Sequence, residues 1–140
     1  AVLTRVNALL APVQVALAVR GIPLSGGVGL EFTERTSVRA VLAWLRLATQ
    51  DKLSSDDIRE ALRRPSRSFH PRINDWVCEQ GSVVDLHRLA GRLNNERDQE
   101  RVIAFAADIQ QLQKMAREAA PTSDLVFALI DEIGLARSLT

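Results

Sequence analysis

Residues 21–47 read GIPLSGGVGLEFTERTSVRAVLAWLRL, and this passage narrows the possible folds more than any other. Gly21 closes an amphipathic segment that ends at Arg20, and Ile22, Pro23 and Leu24 lead into a short extended run. Gly26-Gly27 supply a turn, and from Val38 onward the apolar residues take helical spacing. Upstream, Val2-Leu3-Thr4-Arg5-Val6-Asn7 is a short run rich in β-branched residues. The expected order is strand, helix, glycine stop, short strand, turn, second helix. Strands are expected at residues 2–5 and 24–27, with a helix over about residues 12–20 that has proline at its start and Gly21 just past its end. Two such strands would lie side by side in a parallel sheet. A pair is too few to be stable alone, which implies a larger sheet around them.

Everything after Phe32 reads as helix, so the expected fold class is mainly α, a multi-helix unit with a small N-terminal strand-helix-strand piece. Val38, Val41, Leu42 and Leu45 fall at i, i+3, i+4 and i+7, a stripe expected to be buried, with Arg39 and Arg46 on another face. Ser54, with Asp57 three residues later, marks a helix start whose apolar side is Ile58, Ala61 and Leu62. Pro71 opens a short helix expected to bury Ile73, Trp76 and Val77, and Gly81 stops it. Ser82 caps the next helix, with Val83, Leu86, Ala90 and Leu93 inward. Asn95 caps the longest helix, whose stripe is Val102, Phe105, Ile109, Leu112, Ala116 and Ala119. Pro121 breaks it, and Ser123 caps a last helix that buries Leu125, Val126, Leu129, Ile130 and Ile133.

Bulk composition removes several classes of function. Apolar content of 46% is ample for a packed core and argues against disorder. A net charge of +1 means that any affinity for nucleic acid comes from local clustering. The single cysteine, Cys78, excludes an internal disulfide framework and suits a reducing cytoplasm, the expected compartment. No apolar run approaches the roughly 18 residues of a membrane span, so no membrane partner is expected. There is no Gly-x-x-x-x-Gly-Lys-Ser/Thr phosphate loop, because Gly26-Gly27-Val28-Gly29 runs into Leu30-Glu31. Asp131-Glu132 lies in a helical pattern rather than after an apolar strand, where a magnesium site would need it. His70, His87 and Cys78 lack further ligands at metal-site spacing, so no metal and no catalytic residue are expected.

The residue choices around these elements resemble one family, the superfamily 1 DNA helicases of the UvrD/Rep/PcrA type. The resemblance is carried by Arg5, Asn7, Gly21, Ile22, Pro23, Gly26, Gly27, Phe32, Glu34, Arg35, Val38, Arg39, Leu42, Trp44, Leu45, Arg46 and Leu47, and it is specific over about the first third of the chain. Beyond that it rests on the order and length of the helices. The resemblance implies that residues 1–30 are the edge of the second motor (2A) domain and residues 31–140 an incomplete helical 2B-type accessory subdomain. The parent would bind ATP and Mg and separate duplex DNA in the 3′-to-5′ direction during repair or recombination. This piece would hold no cofactor, contact duplex DNA and swing relative to the remaining motor domains, with a regulatory protein able to bias that swing.

Arg59, Arg63, Arg64, Arg67 and Arg72 form the strongest charge cluster, opposed only by Glu60 and interleaved with Pro65, Ser66, Ser68 and Pro71. A loop leading into a helix start offers backbone N–H groups and a positive dipole end to a phosphate, and flanking arginines add charge-assisted hydrogen bonds. The family carries Pro-Ser/Thr-Arg-Gly-Ile-Gly at about this place, gripping the duplex backbone. Here the run is Pro65-Ser66-Arg67-Ser68-Phe69-His70, with Ser68 and His70 where the family has glycine. The resemblance thus implies duplex contacts from Arg63, Arg64, Ser66, Arg67, Ser68 and Arg72, and single-strand contacts from Arg5 and Asn7. The residues alone fit a solvated arginine loop and an ordinary strand end equally well. Two other functions stay open: a stand-alone helical adaptor whose arginine loop binds an acidic protein, and a small helical DNA-binding regulator. Trp44 and Trp76 lie on or beside apolar stripes and are expected in the core rather than stacked on bases. Arg92, Arg97 and Arg101, mixed with Glu96, Asp98 and Glu100, read as a solvated face without function.

Overall fold

The computed structural model describes residues 10–23 and 35–135. The chain divides into two units, Ala1–Thr33 and Glu34–Thr140. The strands expected at residues 2–5 and 24–27, and with them Arg5 and Asn7, lie outside the described residues.

In the first unit, helix α1 spans Leu10–Val19. Gly21 ends it at φ +68, a left-handed conformation that glycine adopts without a Cβ penalty. The Ile22 N–H reaches back to the Leu17 carbonyl at 3.0 Å, closing the terminus in the manner of a Schellman motif. Val15, Val19 and Ile22 are exposed.

The second unit is helical: α2 Thr36–Thr49, α3 Ser55–Arg63, α4 Pro71–Cys78, α5 Val83–Ala90, α6 Glu96–Arg117 and α7 Thr122–Asp131. Helix α2 packs on α3, α3 on α4, α4 on α5 and α5 on α6, and α6 closes the ring by packing on α2. Helix α7 lies against both α2 and α6. One continuous core fills the ring, with Trp44 and Phe105 edge to face at a centroid distance of 5.5 Å. The local signals work where they are chemical. Ser82 accepts from the Asp85 N–H at 3.2 Å and Asn95 from the Arg97 N–H at 2.9 Å, satisfying donors that a helix start otherwise leaves unpaired.

Several inward faces need correction. On α2 the fully buried residues are Ala40, Ala43, Trp44, Leu47 and Ala48, while Val38, Val41, Leu42 and Leu45 are half-buried. Helix α2 is covered by α3, α6 and α7 together, and its most deeply buried side mixes Trp44 and Leu47 with alanines. Trp76 is 37% exposed rather than buried, and Cys78 takes the inward place beside Ile73 and Val77. Ala119 lies beyond α6 at φ +56, exposed, in the position where a helix end favours glycine. Its N–H donates to the Ala116 carbonyl at 3.2 Å and the Ala120 N–H to the Met115 carbonyl at 3.0 Å, so the chain turns two residues before Pro121. Helix α7 starts at Thr122 with Pro121 as its cap, and Ser123 sits inside the helix. Ser54 does precede α3, but its side chain makes no cap, and Asp57 is buried, accepting from Arg46 Nε at 2.8 Å.

Among the described residues no helix is long and apolar enough to cross a membrane.

Candidate nucleic-acid interface

Helix α3 stops at Arg63 because Pro65 brings no N–H and its ring excludes the helical conformation at the residue before it. The chain then runs through residues 64–70 as an irregular turn and re-enters helix at Pro71, a residue suited to the first helical position. The turn is tied to the core along its whole length. Trp44 Nε1 donates to the Arg64 carbonyl at 2.9 Å. Arg67 points inward, its Nη2 2.5 Å from Asp108 Oδ2 on α6. Phe69 is buried. From α6, Arg101 Nη1 donates to the Ser68 carbonyl at 2.9 Å.

These ties hold a conformation that the residue itself resists. Ser68 has φ +54, a left-handed backbone that costs a non-glycine residue roughly 1–2 kcal/mol. The Ser68 N–H leans toward Ser66 Oγ at 3.4 Å. With Arg67 and Phe69 turned in, Ser66, Ser68 and His70 face solvent.

The arginines divide into separate roles. Arg67 exposes only 15% of its side chain, with its guanidinium 5.7 Å from the Trp44 ring centroid and 5.6 Å from that of Phe105. Its buried Nε finds no hydrogen-bond partner among the described residues. Arg67 is therefore an anchor of the turn, and its guanidinium does not face solvent as the other site residues do. Arg63 is exposed and donates to Glu60 at 3.1 Å, a carboxylate that Arg39 also holds at 2.7 Å. Arg59 is exposed, 3.8 Å from Asp56. Arg72 lies over the Trp76 ring, 5.0 Å from its centroid. Arg64 is half-buried at the end of α3.

The start of α4 does not offer the free N–H groups expected of it. Pro71 has none, the Arg72 N–H donates to His70 Nδ1 at 3.3 Å, and the Ile73 and Asn74 N–H groups both reach the His70 carbonyl. The exposed polar groups at this junction are therefore side chains: arginine guanidinium groups and the hydroxyls of Ser66 and Ser68. Cys78 is buried and lines, with Arg59, the groove between α3 and α4. Burial raises the pKa of its thiol, and the Arg59 charge opposes that rise only in part.

Of the residues named from the sequence, Arg63, Ser66, Ser68 and Arg72 are exposed, and the reading misses the residues that shape the turn. Trp44, Arg101 and Asp108 lie 20, 33 and 41 residues from their partners in the turn. No local spacing signals such pairs; Arg101 in particular looks like one charge of a solvated helix face. Among the described residues no three histidine, cysteine or acidic side chains stand close enough together to hold a metal ion. No family model matches the chain, and neither curated proteins nor solved structures contain a match.

Proposed function

We propose that the helical unit Glu34–Thr140 docks onto the backbone of duplex DNA through the turn at residues 64–70 and the arginines flanking it. We propose further that it serves as a non-catalytic accessory region of an ATP-dependent 3′-to-5′ DNA helicase of the UvrD/Rep type. The motor domains of that enzyme would supply ATP and Mg binding, and the accessory region would modulate unwinding, with regulatory proteins acting on it. Single-strand contact by Arg5 and Asn7 belongs to the same proposal and rests on the resemblance alone.

One observation carries the duplex reading. Ser68, which stands where the family pattern has its first glycine, holds the left-handed backbone for which that glycine is suited. Arg67, Trp44 and Arg101 hold Ser68 in that conformation, which supports the reading. A turn fixed in this way loses little conformational freedom on binding. Arg63 and Arg72 flank it with exposed positive charge and Arg59 lies one helical turn back from Arg63, and a sequence-independent contact needs no more than charge and hydrogen-bond donors.

Fluorescence anisotropy of a labelled forked duplex at low salt tests this. The wild-type chain is expected to bind, with an affinity that falls steeply as salt rises, by a log–log slope of roughly −3 for three phosphate contacts. Arg63→Ala/Arg72→Ala should weaken binding at least tenfold, as expected when two charge-assisted contacts are lost. Equal affinity of wild type and double variant, or no salt dependence, would overturn the proposal.

A further inference from the structure

A groove of about 230 Å³ lies between α3 and α4, next to the turn that joins them. Its lining includes Arg59 and Arg63 from α3, one helical turn apart on the same face, and Asn74 from the facing helix. Leu62 and Pro71 supply apolar wall, Cys78 also lines it, and Asp75 brings one carboxylate.

Each arginine has an acidic partner on its own helix. Arg59 is 53% exposed, and its carboxylate neighbour Asp56 is 92% exposed at 3.8 Å, a loose pair of a kind that contributes little. Arg63 is 63% exposed and shares Glu60 with Arg39. Arg59 also hydrogen-bonds the Cys78 thiol, so an anion in the groove would compete with these partners for two guanidinium groups that each stay more than half exposed. Asn74 adds an amide donor from the other wall. No aromatic ring lines the groove, which argues against a stacked base and for a phosphate.

We infer that the α3–α4 groove takes a second phosphodiester group of the same duplex whose neighbouring phosphate meets the Ser66–Ser68 turn. Arg59 and Arg63 supply charge, Asn74 a hydrogen bond, and Asp75 limits the affinity. The inference rests on the duplex-docking reading and adds Arg59, Asn74 and Asp75 to it. Arg63, at the end of α3 where the turn begins, serves both places.

The test uses the forked-duplex titration with the full chain, repeated at several salt concentrations. Arg59→Ala should weaken binding about fivefold, as for the loss of one exposed ion pair, and bring the salt slope toward zero by about 0.9. Asn74→Ala should weaken binding with no change in slope. Asp75→Asn should tighten binding several-fold, a gain that a misfolded variant cannot produce. If Ser66→Asp weakens binding while Arg59→Ala, Asn74→Ala and Asp75→Asn all match wild type, the groove is not a phosphate site and the turn is. If the wild-type chain does not bind duplex at any salt concentration, both assignments fall.

Discussion

Arg67 shows how far a residue's environment can depart from its neighbourhood in sequence. Seen locally it is one of five arginines with only Glu60 against them, and it belongs with the solvent-facing cluster. In the fold its guanidinium is enclosed by Trp44 and Phe105 and paired with Asp108. A largely buried charge of this kind is stabilising only while its partner remains. Asp108→Ala should lower unfolding free energy by about 3 kcal/mol, because it strands the guanidinium between the rings. The double substitution Arg67→Met/Asp108→Leu, which removes both charges and keeps the volume, should lie much nearer to wild type. Urea denaturation of wild type, Arg67→Met, Asp108→Leu and the double variant gives the coupling directly. Additive effects would show that Arg67 is not an anchor. None of this was readable from the sequence, since a pair 41 residues apart leaves no trace in spacing.

At the scale of elements, the chain was legible wherever a signal was chemical and local. Gly21, Pro71, Ser82 and Asn95 mark helix ends that the structure places where the sequence puts them. Faces were less legible. Val38, Val41, Leu42 and Leu45 of α2 form an apolar stripe, yet the side carrying Ala40, Ala43, Trp44, Leu47 and Ala48 is the more deeply buried, because α3, α6 and α7 together decide which side is covered. Gln113 illustrates the same limit. It lies beside the expected α6 stripe rather than in it, yet its buried amide donates to the Leu47 carbonyl at 3.1 Å and the Gln50 carbonyl at 3.3 Å, capping the end of α2. The end of α6 yields a prediction of its own. Ala119 sits at φ +56 with open solvent around it, so Ala119→Gly removes a Cβ penalty without disturbing packing. Stability should rise by about 1 kcal/mol, visible as a higher denaturation midpoint at an unchanged m-value. A lower midpoint would mean that the left-handed terminus is not populated.

For the molecule as a whole, the helices matter through what they hold still. A closed ring of α2 to α6 surrounds one core, and the turn at residues 64–70 is fastened to that core by contacts from α2 and α6. Helix order was foreseeable from apolar periodicity and caps. The fastening was not, because it depends on which helices meet. The central claim is that this fastening presents Ser66 and Ser68, with the flanking arginines, as a ready-made seat for a DNA phosphate. The most direct measurement is the affinity of a forked duplex for the Ser66→Asp/Ser68→Asp variant relative to wild type, by anisotropy at low salt. Aspartate tolerates the left-handed backbone better than most residues, and both positions are exposed, so the fold should be retained. The account predicts at least a tenfold loss, with an unfolding midpoint close to that of wild type. Binding equal to wild type by a folded variant would contradict it.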